Sequence, residues 1–215
     1  MNVHVSWLTG YYQGPAEYQL ADWRLRMQNL YHDVRKCADP RAAHALWRAG
    51  RNSLFANHPM SPVPPDQRET FEAMPVFDYD PVMRFEVDLV PGADAAFDYD
   101  LGSDGVMRVA PVARTLGLVA ALGGELVVYW IEGYGGGLFL PFRDATSGHE
   151  TYGGGRYIID AIKGADLGLT PQGRLILDFN FAYTPSCALN PAFVCPLSLA
   201  ANELPEPVRA GEMFL

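Results

Sequence analysis

The spacing of apolar residues changes once along the chain, at about Pro75, and this change constrains the fold more than any single motif does. Before it, apolar residues recur every three or four positions, as on one face of a helix. After it, short runs of alternating polar and apolar residues follow one another between glycine-rich bends, which is typical of antiparallel strands. The sequence therefore predicts an α+β protein in which N-terminal helices pack on a mostly antiparallel, barrel-like β-sheet.

Two amphipathic helices account for most of the N-terminal part. One apolar stripe predicts a helix over residues 15–36. Asp39 followed by Pro40 is typical of a helix start, and it predicts a second helix that runs to about residue 51. A proline-rich connector follows, and capping-box spacing predicts one more short helix over residues 66–74.

Residues 1–74 are thus predicted to form a helical layer, and residues 75–215 a sheet with a proline-rich C-terminal segment, within one integrated domain. The Gly123–Gly124 pair separates two strand-like runs and predicts a two-residue hairpin turn. The run RLILDFNFAY alternates so that Asp178 and Asn180 share one face of a strand. That face either lines a cavity of the barrel or faces water.

The charge balance limits the classes of partner. The chain has 215 residues, a formal net charge of −9 and a pI of about 4.9, which disfavour nucleic acid and anionic membrane surfaces. Its first residues lack the basic and then apolar pattern of a signal peptide, and its longest apolar run is interrupted by glycines and a glutamate. We expect a soluble, cytoplasmic protein, with a homodimer as an alternative to a monomer.

Two glycine triplets raise the question of a phosphate-binding loop. EGYGGGLFLP begins at Glu132 and ETYGGGRYII at Glu150. Neither contains the Lys-Ser/Thr pair of a P-loop or the third glycine of a dinucleotide fingerprint. Both lead into strand-like residues, so no helix N-terminus would receive a phosphate. The glycines are therefore predicted to mark tight bends between strands.

The second triplet differs from the first because polar and ionisable residues surround it, and loops held by a rigid sheet often carry functional sites. Arg156 is predicted to bind an anionic or carbonyl group, with Glu212 as the carboxylate that neutralises it. Titratable neighbours are assigned to proton transfer, and other polar neighbours to orienting the substrate. The predicted catalytic residues are Asp178, Glu150, His149 and Tyr152, and the predicted substrate-binding residues are Arg156, Asn180, Asp144, Tyr183 and Cys187.

The cysteines have several interpretations. Cys187 and Cys195 lie in the proline-rich segment without a C-x-x-C or H-x-x-x-H pattern, so the sequence predicts no metal site and no cofactor. Burial as small apolar residues is the simplest interpretation. The alternatives are a four-ligand metal set completed by His149 and Asp144, and a nucleophilic Cys187 activated by His149.

Two long stretches, PFRDATSGHETYGGGRYI and LDFNFAYTPSCALNPAFVCPLSLAANELPEPVRAGE, resemble the C-terminal signature of a family of bacterial and archaeal proteins of unknown function. The family's pattern is similar to F-x-D-x-T-S-G-x-x-T-Y-G-x-G-R-Y, then D-F-N-x-A-Y-N-P-x-C, C-P, N-x-L and A-G-E. RNSLFANHPMSPVP, FEAMPVFDYDP and MRF also resemble its upstream half, so the resemblance covers roughly residues 45–212. Thr184 departs from the pattern's asparagine, and His149 falls at an open position. The resemblance implies no particular chemistry, and the signature falls on Asp144, Thr146, Ser147, Gly148, Thr151, Tyr152, Gly153, Gly155, Arg156, Tyr157, Asp178, Phe179, Asn180, Tyr183, Pro185, Cys187, Cys195, Pro196, Asn202 and Glu212.

Three functions are compatible with these residues. The first is a small-molecule enzyme with a pocket at one end of the barrel, performing hydrolysis, isomerisation or cyclisation by general acid–base chemistry. The second is a non-catalytic small-ligand-binding or structural protein, in which Arg156, Asp178 and Glu212 form a buried network. The third is a barrel protein that holds a flavin or a metal. The expected partner in the leading hypothesis is a small-molecule ligand, without nucleic acid or membrane.

Overall fold

A computed structural model describes residues 10–92 and 94–214. Two helices come first and pack against each other: α1 (Ala16–Lys36) and α2 (Pro40–Asn57). A short third helix, α3 (Val119–Leu122), lies between two strands. The strands in the described chain are β1 (Arg84–Pro91), β2 (Phe97–Asp100), β3 (Val106–Leu116), β4 (Val127–Ile131), β5 (Gly137–Phe142), β6 (Arg156–Asp160) and β7 (Leu175–Asp178).

The strands form one antiparallel sheet that is nearly closed. Its order is β6-β5-β4-β3-β1-β7, and β2 pairs with β3 beside this path. An antiparallel bridge between Tyr157 in β6 and Tyr183, just beyond β7, brings the two ends of the sheet together. The predicted α+β fold with a barrel-like antiparallel sheet is therefore confirmed.

The two predicted N-terminal helices are present, and the second is longer than expected. Asp39 accepts a hydrogen bond from the backbone N–H of Arg41 at 3.0 Å, which starts α2 at Pro40. The helix continues past residue 51 to Asn57, because its apolar stripe continues through Leu54. Arg51 lies on that buried stripe between apolar residues.

The short helix predicted over residues 66–74 is wrong. Residues 65–70 form successive turns, and the chain is not helical after them. The guanidinium of Arg68 donates to the carbonyl oxygens of Val63 at 3.0 Å and Ser61 at 3.2 Å, which curls this segment back on itself. These hydrogen bonds hold the turns against the proline-rich connector before them.

The hairpin turn predicted at Gly123–Gly124 is also wrong, because helix α3 occupies part of the predicted strand. Glu125 explains the helix: its Oε1 accepts from the backbone N–H groups of Gly117, Leu118 and Val119 at 2.8, 3.0 and 3.3 Å. Two of these residues, Leu118 and Val119, are at the start of the helix, where backbone N–H groups have no acceptor within the helix. Gly123 ends the helix with a φ of +74°, so the first glycine serves as a helix terminator.

Strand β7 ends earlier than its alternating pattern predicts. Asp178 Oδ1 accepts from the backbone N–H of Asn180 at 3.1 Å, and residues Phe179–Phe181 form a 3-10 helix. Phe179 therefore packs in one buried cluster and Phe181 in the other, although the pattern assigns them to one face. The alternative that Asp178 and Asn180 face water is wrong, since they are only 2% and 1% exposed.

Two apolar clusters lie on opposite sides of the sheet. Tyr129 and Phe139 face α1 and α2, and they join a cluster with Trp47 of α2. Val128 and Leu140, which neighbour them along the strands, join the second cluster with residues of α3 and of the C-terminal segment. Burial on both faces explains why β4 to β6 are almost continuously apolar.

The second glycine triplet is a bend that allows a close crossing of chain segments. Gly155 has a φ of +93°, and a Cβ there would lie 2.5 Å from the carbonyl oxygen of Phe142. The carbonyl oxygen of Gly154 accepts a hydrogen bond from the N–H of Ser198 at 3.2 Å. The triplet thus lets the C-terminal segment pass over the start of β6, and β6 is a strand and not a phosphate-binding helix.

Candidate functional site

Arg156 lies in the interior of the protein, where the protein's own acceptors surround it. It is 1% exposed, and its Nη2 donates to Asp144 Oδ2 at 3.0 Å and to the carbonyl oxygen of Val208 at 2.8 Å. Its Nη1 donates to the carbonyl oxygens of Ala210 and Glu212. The pKa of Arg156 is below its ordinary value because burial lowers it, and the adjacent Asp144 carboxylate offsets only part of this effect. Arg156 therefore joins β6 to the C-terminal segment, and a ligand would have to displace these contacts to reach it.

Asp144 completes this connection. Its Oδ1 accepts from the backbone N–H and the hydroxyl of Thr146, at 2.9 and 2.6 Å, and from the N–H of Val208 at 3.0 Å. Together with Arg156, these donors use both of its carboxylate oxygens. A carboxylate with this many donors is an organising element of the loop around it.

The prediction that Glu212 neutralises Arg156 is wrong. The Glu212 carboxylate instead binds Arg51 of α2, with 2.6 Å between Oε1 and Nε, and accepts from the N–H of Thr184 at 2.8 Å. Only the main-chain carbonyl of Glu212 contacts Arg156, at 3.2 Å. The Arg51 guanidinium also lies over the ring of Tyr183, 4.7 Å from its centroid.

Tyr183 belongs to a second polar group in the interior. Its hydroxyl donates to Asp160 Oδ2 at 3.1 Å, and Lys163 Nζ lies 3.0 Å from the same oxygen. Burial raises the pKa of Tyr183 well above its ordinary value. This residue is 3% exposed, so its ring and hydroxyl support the packing between the sheet and α2.

Three other predicted residues lie at the surface or close to it. Both oxygens of the Glu150 carboxylate accept from Arg209, at 3.1 and 2.9 Å, and this hydrogen bond lowers the pKa of Glu150. His149 is exposed, and within the described residues no hydrogen bond or ion pair connects it with Cys187. Tyr152 stacks on Phe214, with 6.1 Å between ring centroids. Burial raises the pKa of Tyr152, and the neighbouring Cys187 adds to this rise.

Asp178 and Asn180 lie together beside a cavity of about 410 Å³. The Asn180 amide fixes the Asp178 carboxyl group by donating to its Oδ1 at 2.8 Å. The same amide bonds both backbone groups of Asp80, again at 2.8 Å. The cavity is lined by Val34, Arg35, Cys37, Ala38, Pro40, Ala43, Arg84, Leu167, Gly168, Leu169, Ile176, Asp178 and Phe181.

The surroundings of the Asp178 carboxyl group make it easier to protonate than an exposed aspartate. Burial raises the pKa of Asp178 from 3.8 to about 6, while the hydrogen bonds from Asn180 and the charge of Arg84 oppose the rise. Arg84 has a weak carboxylate partner, Glu86 Oε1 at 3.2 Å, and Arg35 donates to the carbonyl oxygen of Asp166. The cavity wall therefore carries two guanidinium groups and one carboxyl group that titrates near neutral pH.

No pattern in the sequence indicated that Arg35, Arg84 and Cys37 are neighbours of Asp178. They come from the end of α1 and the start of β1, far from β7 in the chain, and only the folded sheet brings them to one cavity. Arg51 was also missed, although its place on the apolar stripe of α2 was a usable signal, since an arginine among buried apolar residues requires a carboxylate partner.

The raised pKa predicts that Asp178 destabilises the fold at neutral pH. A folded-state pKa above the unfolded value means that stability is gained as pH falls through 6, and that the full penalty is present above it. A rise of about two pH units corresponds to about 3 kcal/mol. We expect Asp178→Asn to raise the free energy of unfolding at pH 8 by up to about 3 kcal/mol, and by progressively less as the pH falls below 6, measured by urea denaturation.

The exposed Asp88 provides the matched control for this substitution. Its carboxylate is 67% exposed and lies 3.6 Å from Arg174, so Asp88→Asn is expected to change stability by less than about 1 kcal/mol at either pH. An Asp178→Asn variant that is less stable than the wild type at pH 8 would contradict the raised pKa.

The part of the chain that the structure describes contains neither a group of metal-ligand side chains nor a helix suited to crossing a membrane. In residues 10–92 and 94–214, no three His, Cys, Asp or Glu side chains are grouped as metal ligands would be. Cys187 does not approach His149 and Asp144 as the four-ligand alternative requires. Among the helices of the described chain, none combines the length and apolar character needed to cross a bilayer.

Comparison with known proteins places the chain in a family. Residues 69–213 match the family described as "Protein of unknown function (DUF1684)", so the chain belongs to this family. The fold is similar to the solution NMR structure of an uncharacterised protein of Haloarcula marismortui, with a TM-score of 0.54 and 32% sequence identity. That similarity covers 77% of this chain and 89% of the other. None of the curated proteins matches the chain.

Proposed function

We propose that this protein is a small-molecule enzyme that uses Asp178 as a general acid or base in the cavity between α1, α2 and the β1–β7 edge of the sheet. The observation that carries the proposal is a buried carboxyl group with a pKa of about 6 lining a cavity of ligand size. A group that titrates near neutral pH can both donate and accept a proton under physiological conditions. Perturbed carboxyl groups in clefts are candidates for function on this ground.

Within residues 10–92 and 94–214, Asp178 has no ion-pair partner, and this supports the proposal. Arg156 and Arg51 each have a buried carboxylate partner, whereas Asp178 is oriented by a neutral amide. A buried carboxyl group without an ion-pair partner destabilises the folded protein, and such destabilisation is common where a group serves a function. Cavities of about 300–1,000 Å³ are the usual size of small-molecule sites.

The lining indicates the chemical class of the substrate. Arg35 and Arg84 offer donors to an anionic group, in a protein whose formal net charge is −9. The opposite lining is apolar, with Leu167, Leu169 and Ile176. A small molecule with one anionic group and an apolar portion fits both features, and proton transfer through Asp178 would act at a group between them.

A matched set of six-carbon probes tests this binding site. Hexanesulfonate, hexylammonium and hexanol share one apolar chain, and we expect hexanesulfonate to bind at least about tenfold more tightly than hexylammonium, by NMR titration at pH 5.5. The affinity for hexanesulfonate should fall between pH 5.5 and 7.5. Over this range Asp178 loses its proton and adds a negative charge to the cavity. The sulfonate stays charged over this range, so the change reports the protein.

Two variants separate this result from nonspecific binding. Asp178→Asn should abolish the pH dependence while retaining affinity, and Arg84→Gln should weaken hexanesulfonate about tenfold, the loss of one charged hydrogen bond. Arg108→Gln is the matched control, since Arg108 pairs with Asp98 on an exposed part of the sheet. Equal binding of the three probes, or chemical-shift changes away from the cavity, would contradict the proposal.

A second candidate is a non-catalytic binding or structural protein with a buried arginine–carboxylate network. The observation that favours it is the burial of the Arg156–Asp144 and Arg51–Glu212 pairs, whose side chains are at most 4% exposed. This network accounts for several of the polar residues in the family-like signature without any reaction. Binding of hexanesulfonate without any turnover of anionic substrates would favour this second candidate.

A further inference from the structure

A second group of reactive side chains lies in the C-terminal segment, apart from the Asp178 cavity. Cys187 and Cys195 are both half-buried, and Cys195 lines the same cavity as Ser186, the chain neighbour of Cys187. Hydrogen bonding between the two thiols raises the pKa of Cys187 and lowers that of Cys195. Cys187 is in the 3-10 helix Ser186–Ala188, and Cys195 follows a loop that returns to it. A disulfide between them would bring the two sulfurs to a bond length of about 2.05 Å.

The surroundings of the two thiols are not equivalent. The Cys195 sulfur accepts hydrogen bonds from the Cys187 thiol and from the backbone N–H groups of Cys187 and Ser186, and the charge of Lys163 acts on it as well. These donors, with the Cys187 thiol first, lower the pKa of Cys195 against the opposing effect of burial. The hydrogen bond to Cys195 and burial raise the pKa of Cys187, which keeps its proton.

The surrounding structure holds Cys195 in place and leaves an approach to it. The Tyr157 hydroxyl donates to the carbonyl oxygen of Pro196 at 2.6 Å, and the Tyr99 hydroxyl to that of Leu197 at 3.1 Å. Cys195 and Lys163 both line a cavity of about 300 Å³ that opens between α1 and this segment. A small reagent can therefore reach the sulfur without movement of the sheet.

We propose that Cys195 and Cys187 form a dithiol redox site that is oxidised by hydroperoxides to an intramolecular disulfide. The Cys195 thiolate attacks the terminal peroxide oxygen, so that an S–O bond forms, the O–O bond breaks, and hydroxide or alkoxide leaves. The Cys187 sulfur then attacks Cys195, an S–S bond forms, and the hydroxyl leaves with the Cys187 proton as water. The two sulfurs together lose two electrons, which the peroxide gains.

The charged groups around the site define its pH dependence. Lys163 favours the Cys195 thiolate, and its ammonium group also pairs with Asp160 at 3.0 Å. Asp104 and Arg24 line the same cavity with opposite charges. Tyr152 donates a hydrogen bond to Cys187, and its own pKa is raised chiefly by burial, so it stays neutral where Cys195 ionises.

The test uses the full chain and hydrogen peroxide. We expect the number of titratable thiols to fall from three to one per chain, and peptide mass spectrometry to find a disulfide between Cys187 and Cys195 that dithiothreitol reverses. In Cys187→Ser, a sulfenic acid should accumulate on Cys195 and be trapped by dimedone. Cys37→Ser is the matched control and should form the same disulfide as the wild type.

A measurement on the unmodified protein guards against variants that fail to fold. The rate of Cys195 alkylation by iodoacetamide should have its pH midpoint at least about one unit below the value near 8.5 of an ordinary cysteine, and Lys163→Gln should raise this midpoint. Equal peroxide reactivity of all three cysteines, intermolecular disulfides in place of the internal one, or an ordinary alkylation midpoint for Cys195 would each overturn the proposal.

Discussion

Replacing Asp144 with alanine is expected to lower the free energy of unfolding by about 3–5 kcal/mol, the effect of removing one partner from a buried ion pair. Arg156 would keep its charge in the interior, where it is 1% exposed, with only main-chain carbonyls as partners. The N–H groups of Thr146 and Val208 would lose their acceptor as well. Both effects act in the same direction, because buried donors without partners destabilise a fold.

The exposed pair Arg143–Glu203 is the matched control for this substitution. Its nitrogen–oxygen distance of 2.7 Å is shorter than the 3.0 Å of the buried pair, but its side chains are 36% and 55% exposed. Glu203→Ala should therefore change stability by less than about 1 kcal/mol. The free energies of unfolding of both variants can be measured by denaturant unfolding. If Asp144→Ala loses as little stability as Glu203→Ala, Arg156 does not depend on the Asp144 carboxylate.

Replacing Glu212 with alanine is expected to have an effect of similar size, about 3–5 kcal/mol. The carboxylate joins α2 to the C-terminal segment through Arg51 at 2.6 Å, and both side chains are nearly inaccessible, at 4% and 1% exposed. Its removal leaves the guanidinium against the rings of Trp47, Phe55 and Tyr183, which cannot replace a carboxylate.

A double variant separates the buried charge from the loss of packing. Arg51→Met combined with Glu212→Gln removes both charges and keeps an acceptor for the N–H of Thr184. Because buried ion pairs contribute little net stability relative to neutral groups of similar size, this double variant should be more stable than Glu212→Ala. A double variant that is less stable than Glu212→Ala would contradict the account of Arg51 as an uncompensated charge.

These two ion pairs change the interpretation of the polar residues around the second glycine triplet. The density of charged residues there suggested a catalytic group centred on Arg156, but Asp144, Arg156 and Glu212 connect the C-terminal segment to the rest of the protein. The glycines serve the same purpose, since Gly155 allows the close approach to Phe142. Asp178, which is more than twenty residues further along the chain, lines the cavity, and Asn180 donates a hydrogen bond to its carboxyl group.

The fold was largely predictable because its main elements have strong local patterns. The stripe of α1 and the alternation of the strands follow from burial, which repeats with the period of each element. The errors arose where single side chains override such patterns. Glu125 creates α3 by accepting from three N–H groups, and Asp178 ends β7 by accepting from Asn180.

The candidate site was less predictable, because pairings between distant residues decide it. Arg156 required a buried carboxylate, and the sequence analysis assigned Glu212 to it, whereas the structure pairs it with Asp144. Asp178 was identified as a candidate acid or base, yet its cationic neighbours Arg35 and Arg84 come from other elements. No periodicity in a sequence carries information about which distant side chains converge.

The central claim is that Asp178 titrates at about pH 6, well above an exposed aspartate, at the wall of a ligand cavity, and a ¹³C NMR titration of its carboxyl carbon tests this claim most directly. We expect a titration midpoint at about pH 6, which moves to higher pH when hexanesulfonate occupies the cavity and adds negative charge. A midpoint near the value of about 3.9 for an exposed aspartate, unchanged by hexanesulfonate, would contradict it.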